Sequence, residues 1–103
     1  MPKIENHIAA LSLLVADYDE AIQYYTKNLG FQLLEDTDMG AGKRWVVLSP
    51  SEQVSCKLLL AKAKNPEEVT AIGNQTGGRV FLFLHTNDFD SYYSFLKSKA
   101  VEF

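Results

Sequence analysis

The sequence has one cysteine, three prolines and no long apolar run, and each scarcity removes a class of protein. A lone cysteine cannot form an internal disulfide, so the chain suits a reducing cytoplasm. Cys56 has no neighbouring histidine or helix start to favour a thiolate, and reads as a small buried hydrophobe. The longest apolar stretches fall far short of the roughly 20 residues that cross a bilayer. Met1 to His7 lacks the basic region, apolar core and small-residue cleavage site of a secretion signal. Positive charge is scarce too: ten Lys plus Arg face thirteen Asp plus Glu, a net charge of -3. That leaves no basic patch to neutralise successive phosphates and argues against a nucleic-acid partner. The expected setting is soluble and cytoplasmic, with no membrane.

Apolar side chains are plentiful. At 103 residues with 47% hydrophobic content, six Phe, five Tyr and one Trp, the chain is expected to form a single domain with a real core. Residues 8–15 are short and almost wholly apolar, which suits a strand covered on both faces. Alternation places Ala9, Leu11, Leu13 and Val15 on one face and Ala10, Ser12 and Leu14 on the other. Asp17 reads as a helix N-cap, with Glu20 completing a capping box. Tyr18, Ala21, Ile22, Tyr25 and Leu29 then recur at spacings of three and four as one apolar stripe. Gly30 supplies a left-handed stop.

A strand is expected over 31–35 and a polar turn over 36–42. A returning strand follows over 43–49, and another over 54–61 in which Ser55, Lys57 and Leu59 share a face opposite Val54, Cys56, Leu58 and Leu60. Residues 62–78 form a linker with a short helical turn at 66–72. Arg79 to His85 is again an apolar, strand-like stretch, and Asp88 again caps an amphipathic helix. Setting Asp17 on Asp88 aligns Tyr18 with Phe89, Ile22 with Tyr93 and Tyr25 with Leu96 at one offset of 71 residues, the mark of an internal duplication. Val101-Glu102-Phe103 then echoes Leu29-Gly30-Phe31. Nothing in the sequence matches the first half's hairpin and last strand, so about three strands of an expected eight are missing or truncated in the second half. The expected organisation is a first module over about 4–61, the linker over 62–78 and a partial second module over 79–103.

This order resembles the vicinal oxygen chelate superfamily of glyoxalases, extradiol dioxygenases and bleomycin-resistance proteins. The resemblance is carried by Val15-Ala16-Asp17, Ala21-Ile22-Gln23-Tyr24-Tyr25 and Leu29-Gly30-Phe31, with the echoes at Asn87-Asp88-Phe89 and Val101-Glu102-Phe103. It implies an α+β fold of tandem βαβββ modules whose curved mixed sheet forms a cleft, here with the second module truncated. It also implies a divalent metal in the enzymes, bound by His or Gln on each module's first strand and Glu on its last. The first-strand positions, seven residues before each capping Asp, fall on Ala10 and Phe81, and the first module's Glu position falls on Lys57. None suits a cation, and an ammonium repels one. No metal or other cofactor is therefore expected.

Two histidines remain. His7 lies an odd number of residues from Ala10 and points to the other face. His85 shares a face with Phe81 and Phe83, but sits more than ~13 Å along an extended strand from the expected metal position. It is either a strand-end hydrogen bonder or, with its ordinary pKa near 6.5, a general base without an assigned partner. Glu35, Asp36 and Asp38 read as a solvated hairpin end balanced by Lys43-Arg44. Trp45 either stacks on a flat ligand or fills the core. Phe81 and Phe83 either convert a chelating cleft into an apolar slot or fill the core.

The resemblance therefore implies a metal-independent small-molecule binder of the bleomycin-resistance kind. Its cleft would be lined by Ala10, Ser12, Leu14, Trp45, Lys57, Leu59, Phe81, Phe83 and His85, with Lys57 as an anion contact, and family precedent implies a homodimer. The alternatives are a metal-dependent lyase or dioxygenase of the glyoxalase type, and an interaction module whose open sheet edge a partner chain completes.

Overall fold

The computed structural model describes residues 3–52 and 56–101. In chain order it contains β1 (Ala10–Val15), α1 (Tyr18–Gln23) running into a π-helical turn (Tyr24–Asn28), β2 (Gln32–Gly40), β3 (Lys43–Ser49), β4 (Lys57–Lys62), α2 (Pro66–Ala71) and α3 (Phe89–Ser98). The strands form one mixed sheet in the order β1-β4-β3-β2, with β1 parallel to β4 and the other pairs antiparallel. The βαβββ order of the first half is thus as the sequence implies.

Alternation along the strands separates two faces. Leu13 and Val15 of β1, Val46 and Leu48 of β3, and Leu58 and Leu60 of β4 are buried with Tyr18 and Phe31 in one cluster. Ala21, Ile22, Tyr25 and Leu29, the expected helical stripe, pack against it. Burial of such side chains supplies roughly 1.5–3 kcal/mol each, so this layer of helix on sheet is where the fold's stability is concentrated.

The Asp17 carboxylate accepts a hydrogen bond from the Glu20 N–H at 2.8 Å and starts α1. The helix loosens after Gln23: Leu29 N–H reaches the Tyr24 carbonyl and Phe31 N–H the Tyr25 carbonyl, while Gly30 takes φ +77° and turns the chain into β2. The hairpin is longer than the sequence suggests. Asp36 to Gly40 belong to the strand, Asp36, Thr37, Asp38 and Gly40 each having a partner on β3 and Met39 forming a second bulge, and the turn proper is only Ala41-Gly42. Both turn residues have positive φ, 55° and 79°, the conformation that two-residue hairpins require. A shift in register at Leu34 separates Leu33, opposite Leu48, from Glu35, opposite Val47. One extra residue thereby moves Asp36 to the helix side and Glu35 to the other.

The linker carries α2, capped by Asn65, whose side chain accepts from Glu68 N–H at 2.8 Å. Beyond it, the Gln75 amide donates to the Leu14 carbonyl at 2.9 Å and accepts from the Leu14 N–H at 3.2 Å. Those are the two bonds a neighbouring strand would make to β1 at this residue, so a side chain covers part of the exposed edge.

The second half departs from expectation in two ways. Residues 80–86 are not a strand: the apolar pattern is present, but none of the described strands pairs with them in a ladder. The helix does form. Asp88 accepts from Ser91 N–H at 3.1 Å, α3 ends where Ala100 takes φ 60°, and Val101 N–H closes onto the Leu96 carbonyl at 3.1 Å. Ala100 therefore corresponds to Gly30 and Val101 to Phe31. The offset of 71 that holds from Asp17/Asp88 to Tyr25/Leu96 drops to 70 beyond, because the π turn in the first helix holds one more residue. The expected echo of Leu29-Gly30-Phe31 in Val101-Glu102-Phe103 is thus displaced, and Glu102 and Phe103 lie outside the described residues, as do Val54 and Ser55 of the expected fourth strand. Cys56 is also corrected: it precedes β4 and is exposed.

The two helical ends meet. Tyr92 donates its hydroxyl to the Leu29 carbonyl at 2.7 Å, and the Phe95 ring lies beside Gly30. Burial pushes the Tyr92 phenol above its ordinary pKa, with Tyr24 adding a smaller push, so the hydroxyl stays protonated as this donor.

Candidate functional site

The face of the sheet turned away from α1 is built from the other half of the alternation. Pairing aligns Ala10 with Lys57, Ser12 with Leu59, and Leu14 with Ala61, and Leu59 with Val47. Trp45, two residues before Val47, falls on the same side. Ala10, Ser12, Leu14, Trp45, Lys57 and Leu59 therefore share one sheet face. Leu14, Val47, Lys57, Leu59 and Ala61 are half-buried and Ala10 and Ser12 exposed. Trp45 is 43% exposed, too open for a core residue and suited to contact with another planar group.

At the end of the sheet where β3 begins and β4 finishes, Leu14, Trp45 and Leu59 meet Tyr18 and Ala61 around an open cavity of about 670 Å³. That volume lies in the range of small-molecule sites, ~300–1,000 Å³, and the mixture of aromatic and aliphatic walls with a polar rim is typical of them. The rim is charged. Lys43, Lys62, Lys64 and Glu68 line it, and among the described residues none of these lysines makes a salt bridge. Sequence reading missed this cluster, although a signal was present. Antiparallel pairing of β3 with β4 brings the start of one to the end of the other. Lys43 opens β3 on the side of Trp45, Lys62 closes β4 on the side of Val15 and Leu60, and Lys64 follows two residues later, so the three surround the end of the sheet.

Arg44, the remaining cation of the wall, is already engaged. Its guanidinium bonds both oxygens of Asp36 at 3.1 and 2.6 Å and meets Asp19 at 3.0 Å. It also lies 5.2 Å from the centre of the Tyr18 ring, a cation–π distance. The Tyr18 hydroxyl accepts the Arg44 backbone N–H at 3.3 Å. The side-chain hydrogen bonds to Asp36 and then Asp19 raise the Arg44 pKa above its ordinary value, and the Arg44 hydrogen bond holds Asp36 below the usual carboxylate range. Arg44 thus joins β3 to β2 and α1 and fixes the wall behind Trp45.

The other three expected lining residues lie elsewhere. Phe81 is half-buried against the core cluster on the helix side, in a groove between α1 and the segment that carries Gln75. Phe83 is 81% exposed. His85 lines a separate depression with Gly30, Pro50 and Tyr92. The shared face assumed for these three required residues 79–85 to be a strand of the same sheet, and that strand is not formed.

The metal positions implied by the family resemblance can be tested on the same geometry. Ala10 and Lys57 are register partners, so where two ligands are expected the sheet presents a methyl group beside an ammonium. Phe81 has no donor atom and packs toward the helix. No group of three His, Cys, Asp or Glu able to hold a metal occurs among the described residues. The side chains at these positions do not fit a divalent cation. Among the described residues no helix is long and apolar enough to cross a membrane.

Comparison with other proteins places this geometry. Residues 6–103 match the family described as the Glyoxalase/Bleomycin resistance protein/Dioxygenase superfamily. An uncharacterised protein of Shewanella frigidimarina is 46% identical over 101 residues, spanning 97% of this chain and 75% of its own length. Among solved structures, UcmS2 superposes with a TM-score of 0.73 at 25% identity, covering 93% of this chain and 76% of its own. TnmS3, an antibiotic-binding protein from Streptomyces sp. CB03234, does so with a TM-score of 0.69 at 26% identity, covering 95% and 74%. The chain thus spans about three quarters of these relatives, and with a family match over nearly its whole length and a sheet of the same architecture, it belongs to the glyoxalase/bleomycin resistance protein/dioxygenase superfamily.

Proposed function

We propose that this protein binds a small, partly apolar molecule on the open face of its sheet and holds it without metal-assisted turnover. The observation that carries the reading is the cavity where Leu14, Trp45 and Leu59 converge, on a face whose would-be ligand positions hold Ala10 and Lys57. An aromatic wall and aliphatic floor gain free energy by shedding water onto any apolar body of matching size, roughly 25 cal/mol per Å² buried, and need no catalytic group. The antibiotic-binding neighbour supports sequestration as the purpose. Ala10, Ser12 and Lys57 extend the face beyond the cavity, and Lys57 is the natural contact for a ligand long enough to reach it.

The protein works as a cytoplasmic homodimer on this reading, its lone thiol compatible with a reducing compartment and its β1 edge open at Ala10 and Ser12. A thermal-shift screen of aromatic and acidic compounds should raise the midpoint for a subset, and a screen without any rise rejects the binding role. Elemental analysis of the purified protein should find no stoichiometric metal; one nickel, zinc, iron or manganese per chain would establish the lyase or dioxygenase reading instead.

A further inference from the structure

We infer that the ligand of this cavity is a planar molecule bearing a negative charge, and that its anionic group is received by Lys43, Lys62 and Lys64. The inference rests on the binding reading above and names the ligand's chemical class. Two independent features carry it. The first is the wall: Trp45, 43% exposed, lines the cavity together with Leu14, Leu59 and Ala61, an exposed indole beside aliphatic side chains that favours an aromatic body. The second is the balance of charge around the same space. Four cations and Glu68 line the cavity. Arg44 is neutralised by Asp36 and Asp19, and one Glu68 oxygen accepts the Lys64 backbone N–H at 3.1 Å. Three ammonium groups with no salt bridge among the described residues therefore face one carboxylate, in a protein whose net charge is -3.

A local cationic rim on an acidic chain selects anions by attraction and repels cations. Lys57, at the opposite end of β4, does not line the cavity, so the anion contact expected from the sequence moves by the length of that strand.

The test uses the full chain and three probes of one shape: 2-naphthalenesulfonate, the neutral 2-naphthalenesulfonamide and the cationic 2-naphthylmethylammonium. Trp45 is the only tryptophan, so its indole N–H gives a single NMR resonance from which binding is read directly. The sulfonate should bind about tenfold or more tightly than the sulfonamide, and the cation most weakly. Raising salt from 0.1 to 1 M, which shortens the screening length from about 10 to 3 Å, should remove most of that preference. Lys43→Gln/Lys62→Gln/Lys64→Gln, three exposed substitutions that leave the core untouched, should bring the affinity ratio of sulfonate to sulfonamide close to one. Equal binding of sulfonate and sulfonamide, tighter binding of the cation, or an unchanged sulfonate affinity in the triple variant overturns the anion inference and leaves the binding reading standing. Absence of any shift with all three probes overturns both.

Discussion

The two helices of the duplication end on left-handed residues of different chemistry, and exchanging them has a calculable effect. Gly30 has φ +77° and Ala100 φ 60°. An L-residue in this region carries roughly 1–2 kcal/mol of strain, while glycine adds unfolded-state entropy that costs about 0.4–1 kcal/mol. Ala100→Gly should therefore stabilise by about 0.5–1 kcal/mol. Gly30→Ala reverses both terms and adds a third, because a Cβ there would stand 3.3 Å from Phe95 Cε2 and 3.5 Å from Cζ, tight enough to displace the ring that α3 lays on the first helix. A loss of about 1 kcal/mol or more follows. For a domain of this size 1 kcal/mol corresponds to about 4–8 °C in the midpoint. Urea titrations followed by circular dichroism, with the slope unchanged between variants, resolve differences of this order. Destabilisation by Ala100→Gly, or a neutral Gly30→Ala, would refute the assignment of Ala100 as the structural counterpart of Gly30 and with it the π-turn account of the one-residue slip.

Two further outcomes follow from side-chain contacts. Gln75→Ala removes both hydrogen bonds to Leu14, at about 0.5–1.5 kcal/mol each; amide exchange at Leu14 should accelerate more than at Leu13, and equal acceleration would reject the edge-covering role. The lowered Asp36 pKa means that its contribution to stability is fully present above the ordinary Asp value near 4 and is lost as pH falls through the lower folded value. Wild type and Asp36→Asn should therefore converge in stability only below about pH 4, and convergence above that pH would contradict the Arg44 pairing.

The first half was legible because its residues obey two periods without conflict. Alternation along 8–15 grouped Ala10, Ser12 and Leu14, and alternation along 54–61 grouped Lys57 and Leu59. The family resemblance implied that the two groups share a cleft, and the register partners Ala10–Lys57 and Ser12–Leu59 put them on one face. The cap at Asp17 and the stop at Gly30 were equally local, since each depends on side chains within a few residues of the backbone it satisfies. What alternation cannot supply is a change of parity. The bulge at Leu34 sends Asp36 to the helix side, where it meets Arg44, and no local signal in Leu33-Leu34-Glu35 distinguishes that from an uninterrupted strand. The lysine rim was invisible for a related reason: Lys43 and Lys62 are distant in sequence, and only the β3–β4 pairing brings them to one cavity.

The second half failed on a different physical point. Helix propensity and capping are properties of the segment itself, so α3 formed where the Asp88 cap placed it. A strand is a property of two segments, because its stability comes from a ladder and from cross-strand side chains. Val80 to Leu84 has the composition of a strand, yet with no strand paired to it among the described residues it leaves Val80, Phe83 and Leu84 exposed and turns Phe81 toward the core. Carrying a ligand position across the duplication by counting residues assumes that the strand beneath the count exists. The offset from Asp17 to Asp88 was sound over the helices it was measured on. It did not transfer to Phe81, Phe83 and His85, because the strand that would have oriented them requires a partner that the sequence of the segment does not specify.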